Sequence, residues 1–402
     1  MSKDMRSTAS LACFTGEPLF PETLSVGRPQ SGDTDRFFDR LRDMFSRNWL
    51  TNHGPMVQEL EAAVEVRLDV KHAIAFCNGT VALEMMLRAQ EIKGEVIVPS
   101  FTFIATVHAI RAAGLMPVFS DIGSTHLLDP DAVERAVTPN TAAILGVHTW
   151  GQGCEIERLQ FLADQHGLKL LFDAAHAFDC TYRGRPLGGF GVCEAFSLHA
   201  TKVFHSFEGG LVTTQDDAVA HRLRLMRNFG FSDYDTVVCA GGNGKLSEPA
   251  AAMALTNLES LSSFISVNRE LHEVYRRSLQ GIPGVGLLDY DPRERQNHQY
   301  VVLEIDQDGF GMSRDQLLRI LQAENILARR YFYPSCHRME PYRTLDPEAG
   351  HRLPVTTSLC ERVLVLPTGG QIAPIDAEDI AHLIGFCQRE AGAIRARWEH
   401  DA

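Results

Sequence analysis

The strongest constraint on the fold is an alternation. From about Val57 onward, short apolar runs of strand length take turns with segments whose apolar residues recur at helical spacing. Ala73 to Phe76, Glu95 to Val98, Pro117 to Ser120, Ala142 to Val147 and Leu168 to Phe172 read as strands. Between them, helices are expected through Leu83 and Leu87, over Thr106 to Ala113, and on Ile156, Leu159, Leu162 and Ala163 up to Gly167. This order predicts an α/β fold: a mostly parallel central sheet with helices on both faces. In such sheets ligands bind beyond the carboxyl ends of the strands. The rule selects Asn78 to Thr80, Pro99 to Phe103 and Asp173 to His176.

The flanks read differently. A Pro-, Gly- and Ser-rich lead-in gives way to a helix from about Asp35 to Arg47 and the loop Trp49 to Pro55. Downstream, Leu211 to Thr214 looks strand-like, and a long helical stretch spans about Ser247 to Leu279. Tyr300 to Ile305 alternates like a strand, and Ser313 with Gln316 makes a capping-box start for a helix through Leu321. The expected division is an N-terminal arm at 1–34, a large domain at 35–264 and a smaller C-terminal α/β domain at 265–402.

Composition narrows the partners. A formal net charge of -13 argues against a nucleic-acid polymer, which needs clustered Lys and Arg. It leaves room for a small anion held by a few local donors. Nine cysteines without a C-x-x-C pair fit reduced thiols, as expected of a cytoplasmic protein. The opening MSKDMRSTASLACF has no signal-peptide apolar run, and no stretch is apolar enough for a membrane span.

Several chemistries lack their signature. No strand is followed by G-x-G-x-x-G, Gly244-Lys245 is followed by Leu246, and H-E-x-x-H, paired Cys/His metal spacing and G-x-S-x-G are missing. No metal is expected. Three features remain. Asp173 follows LKLLF at the end of a strand expected to be buried. A carboxylate there is costly unless paired, so it is either a cap or ion-pair member or the partner of a protonated ring nitrogen. Lys202 lies in FSLHATKVFHSFEGG; it is either a solvated surface charge or a partly desolvated amine able to form a Schiff base. Asn78-Gly79-Thr80 sits between a strand and a helix, either as a plain turn or as a phosphate cradle.

Together these segments resemble the DegT/DnrJ/EryC1/StrS family of sugar aminotransferases, of the aspartate-aminotransferase-like fold (pyridoxal-phosphate fold type I). WLTNHGP, NGTVAL, PSFTFIAT, GVHTWGQ, FDAAHAF, FSLHATK with EGG behind it, RNFG and GGNGKLSEPAAAMAL occur in family order over nearly the whole chain. The resemblance implies a pyridoxal 5'-phosphate cofactor, passing through pyridoxamine phosphate. By it, Lys202 carries the cofactor and shuttles a proton, Asp173 holds the ring nitrogen, and His176 lies near the ring hydroxyl. Phe103 would stack on the ring. Gly79, Thr80 and Ser197 would bind the phosphate. Asn243 would reach the phosphate of a neighbouring subunit, which implies a homodimer with shared sites. The implied reaction moves an amino group from glutamate to a nucleotide-linked keto-deoxysugar. ARRYFYPSCHRMEPYR resembles the 4-aminotransferase version, which favours TDP-4-keto-6-deoxyglucose; 3-amination, dehydration and a non-catalytic role are the alternatives. Tyr331 and His337 are the expected substrate contacts. Two positions depart from the pattern: Phe172, where many relatives have Glu, and Asp179, where glycine is usual.

Overall fold

The computed structural model describes residues 7–401, so the first six residues of the expected arm lie outside it. Seven strands build the central sheet: β1 (His72–Phe76), β2 (Glu95–Pro99), β3 (Met116–Ser120), β4 (Thr141–Val147), β5 (Lys169–Asp173), β6 (Cys193–Ser197) and β7 (Gly210–Thr214). Their spatial order is β1-β7-β6-β5-β4-β2-β3. The pairs from β6 through β3 are parallel, whereas β7 runs antiparallel to β1 and β6. The mostly parallel sheet expected from the alternation is therefore present.

Strand residues are apolar in unbroken runs because both faces are covered. Ala73, Ala75, Ile97, Ile144, Leu170 and Phe172 pack on one face of the sheet. Their neighbours Ile74, Phe76, Val96, Val98, Ala143 and Leu171 pack on the other. Successive side chains of a strand point to opposite faces, so each strand serves both.

The strand order also sets the site. Gly210 of β7 is in register with Phe76 of β1 and with Ser197 of β6. Asp173 of β5 lies beside Ala195 of β6. The ends of β1, β6 and β5 thus open on one rim, where helix α1 (Gly79–Arg88) begins.

A second core surrounds a three-stranded antiparallel sheet of β8 (Val285–Leu287), β9 (Val301–Ile305) and β10 (Val363–Leu366). Helix α2 (Glu248–Leu279) joins the two cores. Ala251 to Phe264 pack into the first, and Leu271 to Leu279 into the second. The expected boundary at 264/265 falls inside this helix. The lead-in is anchored: Leu11 and Phe20 are buried in the second core, and Leu24–Ser25 pairs parallel with Ile326–Leu327.

Candidate active site

A cavity of about 750 Å³ opens on the strand-end rim. Its floor at one end is the start of α1. Asn78 caps that helix: its side-chain oxygen accepts from the Val81 N–H at 2.8 Å, and its carbonyl accepts from the Ala82 N–H. The N–H groups of Gly79 and Thr80 come before these in the first turn, where a helix has no intrahelical acceptors to offer. Both residues line the cavity, and so does Ser197. The packing needs glycine. A Cβ on Gly79 would sit 3.1 Å from the Ser197 Cβ, and one on Gly210 would sit 2.5 Å from the Asn78 carbonyl oxygen. A helix N-terminus with free donors suits a phosphate.

Asp173 also lines the cavity and is buried with 5% exposure. One carboxylate oxygen accepts from the Thr106 hydroxyl at 2.7 Å and the other from the Ala175 N–H at 3.0 Å. Thr106 is itself 2.9 Å from the Thr102 hydroxyl. Since Thr106 donates to Asp173, it accepts from Thr102, and the chain of donors points at the carboxylate. Burial nonetheless pushes the Asp173 carboxyl above its usual range, with these bonds and the Lys202 charge pulling it back. The site thus holds a carboxylate that a cation in the cavity would stabilise.

Lys202 lines the same cavity. Burial lowers its amine to about 8, opposed by the charge of Asp173. Its Nζ donates to the Tyr300 hydroxyl at 3.3 Å. The solvated-surface reading of Lys202 does not describe this environment.

His176 is neutral. Burial and the Lys202 charge hold it well below the usual histidine range. Its Nδ1 accepts from the Trp150 N–H at 3.3 Å, so the ring proton sits on Nε2. The ring is stacked on Trp150 at 5.9 Å and on Phe332 at 5.9 Å.

Phe103 lines the cavity while 58% exposed. Tyr331 also lines it. His337 does not, contrary to expectation: its ring is buried, with Nδ1 2.8 Å from the Ser100 hydroxyl and 3.0 Å from that of Ser335. Packing of its loop accounts for it. Asn243 is exposed, forms a backbone bridge with Asn228, and is not part of its own chain's cavity wall.

Tyr300, Thr106, Arg329, Val26 and Gly27 also belong to the wall or its supports and were missed in the sequence. Val26 and Gly27 follow the strand pairing of the lead-in, and Gly27 adopts a left-handed φ of 72° with its Cβ position 3.0 Å from the Thr201 Cβ. No motif marked them. The neighbouring HATK segment and the alternation through Tyr300 were the nearest signals.

The residues present fit pyridoxal phosphate. An anion cradle, a buried carboxylate in need of a cation, and a desolvated amine line one cavity of sufficient size.

A profile of the DegT/DnrJ/EryC1/StrS aminotransferase family matches residues 32–385. A dTDP-4-amino-4,6-dideoxy-D-glucose transaminase of Escherichia coli is 39% identical over 348 residues, covering 86% of this chain and 94% of that protein. The crystal structure of DesI in the presence of its TDP-sugar product superposes with a TM-score of 0.92 and 44% identity, over 98% of this chain and 100% of that one. S. venezuelae DesV, in complex with a ketimine intermediate, gives a TM-score of 0.82 at 30% identity, over 90% of this chain and 98% of its own.

Proposed function

This chain belongs to the DegT/DnrJ/EryC1/StrS aminotransferase family, and from that premise we propose that it uses pyridoxal phosphate to move an amino group from glutamate to TDP-4-keto-6-deoxyglucose. The observation that carries the reading is the shared cavity of Lys202, Asp173 and the α1 N-terminus. Two relatives named for TDP sugars support the substrate class.

When bound, pyridoxal phosphate supplies a carbonyl that accepts and returns the amino group and a ring that delocalises the charge left by a departing proton. The chain supplies the rest. Gly79, Thr80 and Ser197 would hold the phosphate at the helix start. The Asp173 carboxylate would keep the ring nitrogen protonated. His176 would offer its Nε2–H to the ring hydroxyl, and Phe103 would cover the ring. The Lys202 Nζ takes the α-proton of the amino donor and later delivers a proton to the sugar carbon that gains nitrogen. An amine near 8 exchanges protons readily at neutral pH.

The test is a panel of TDP- and UDP-linked keto-sugars with ¹⁵N-glutamate, read by mass spectrometry. Labelled amino sugar from the TDP-4-keto substrate is expected. Loss of water from the sugar without label would instead show a dehydratase.

The active unit in this reading is a homodimer in which the exposed Asn243 of one copy reaches the phosphate of the other. Asn243→Ala is expected to lose cofactor on dialysis and regain activity with excess pyridoxal phosphate, because a bond to a charged group contributes about 1.5–3 kcal/mol. Mixing it with Lys202→Ala at limiting cofactor should restore activity. One site of the mixed dimer carries both defects and the other neither. An active monomer, or confirmed subunit exchange without recovery, excludes the shared site.

A further inference from the structure

Tyr300 is buried at 5% exposure, lines the cavity, and immediately precedes β9. Its hydroxyl oxygen receives two donors. The Lys202 Nζ donates at 3.3 Å and the Gln299 Nε2 at 3.2 Å. The Gln299 amide is not reversible, because the same Nε2 also donates to the Thr201 carbonyl at 3.0 Å. A phenol oxygen has two lone pairs to offer, and both are taken. Its own proton must therefore point elsewhere. Among the described residues no hydrogen bond receives it, and the open side of the ring is the cavity.

We propose that Tyr300 is a further catalytic residue whose O–H donates to the carbonyl oxygen of the keto substrate, the atom that leaves as water when nitrogen takes its place. This rests on the aminotransferase reading above. The proton balance closes. Tyr300 gives its proton to the departing oxygen and regains one from the Lys202 Nζ. Lys202 is replenished by the attacking amine, whose two protons thus leave with the oxygen as water. No outside acid is required. Burial holds the Tyr300 phenol well above its usual range, so it stays a donor at any working pH. The ring stands 4.5 Å from His176 and 5.3 Å from Trp150, packing that fixes its direction and that phenylalanine would keep.

The alternative is that Tyr300 serves as nothing more than an acceptor for Lys202. Tyr300→Phe separates the two. For the donor at the oxygen, kcat/KM for the keto-sugar is expected to fall about 100-fold, in the range of a lost oxyanion donor. With α-deuterated glutamate, the isotope effect on kcat of the full reaction should shrink toward one, because the oxygen step has become slower than proton transfer. Were Lys202 the beneficiary, proton transfer would be the slowed step and the isotope effect would be full or larger. A second readout needs no cofactor. Calorimetric affinity of the cofactor-free protein for the keto-sugar should fall about fivefold, as for one neutral hydrogen bond. An undiminished isotope effect, an unchanged rate, or unchanged affinity overturns the proposal. Should wild-type protein aminate no nucleotide-linked keto-sugar, the aminotransferase substrate itself is wrong, which is a different failure.

Discussion

Lys202→Ala is expected to abolish turnover and leave the fold intact. The amine is the group in the cavity that combines a lowered affinity for protons, to about 8, with a position beside the Asp173 carboxylate. Alanine removes both the point of cofactor attachment and the proton carrier. Proton transfer alone contributes about 10²–10⁴-fold, and losing the attachment adds to it. The structural cost is small. Among the described residues Lys202 makes one side-chain hydrogen bond, at 3.3 Å to Tyr300, and burying its charge is itself unfavourable. The check is single-turnover absorbance of the bound cofactor with glutamate, run beside a denaturant midpoint. A small primary amine added to the variant should restore part of the proton transfer. Wild-type-like transamination by the variant would end the assignment.

The sheet was legible in the sequence because its strands are covered on both faces. Continuous apolar runs such as Val96 to Val98 and Leu170 to Phe172 leave no other use for such residues. The strand that carries Ser197 was not legible. Its run C-E-A-F-S is interrupted by Glu194, a residue with no exposure, which breaks the apolar pattern. The reason for that glutamate is tertiary. One Glu194 oxygen accepts from the Gly188 and Phe190 N–H groups, both at 2.7 Å, and the other is 3.2 Å from the His148 Nε2. Glu194 lies in register with Phe172 on the neighbouring strand. Phe172 instead stacks on His148 at 4.5 Å.

Asp179, the other departure, follows the same logic. It adopts a φ of 64°, which glycine would take freely and an aspartate tolerates. Its carboxylate accepts two bonds from Arg67, at 2.9 and 2.7 Å, and lies 3.2 Å from Arg295. Local patterns could flag that a residue was unusual. They could not show its partner more than a hundred positions away. The same limit hid Thr106 and Tyr300. Each acts through a neighbour supplied by another strand or loop, whereas Lys202 and Asp173 lie within motifs that local order made readable.

Asp173→Asn is expected to slow the chemical step by at least about tenfold, the factor that corresponds to about 1.4 kcal/mol of transition-state stabilisation. Asparagine keeps the shape and can still accept from the Ala175 N–H, now 3.0 Å from the carboxylate. It presents an amide NH₂ to either Thr106 or the cavity, and in neither case a negative charge. A ring nitrogen left unprotonated delocalises developing charge less well, and the loss falls on the rate rather than on substrate binding. Stability of the cofactor-free protein should move the opposite way. Burial raises the Asp173 carboxyl, so the folded state disfavours its ionised form. Stability from this group is fully present below the unfolded carboxyl pKa of about 3.9 and is lost as pH rises through the folded value. Asparagine does not ionise and escapes that loss. The variant should therefore gain stability over wild type at neutral pH, and the gain should vanish in acid. Cofactor should abolish the difference by giving the wild-type carboxylate its cation. Denaturant midpoints of both proteins across pH, with and without pyridoxal phosphate, read all three. An unchanged rate for the chemical step would place the ring-nitrogen partner elsewhere, and a variant less stable than wild type without cofactor at neutral pH would overturn the argument that burial disfavours the ionised Asp173.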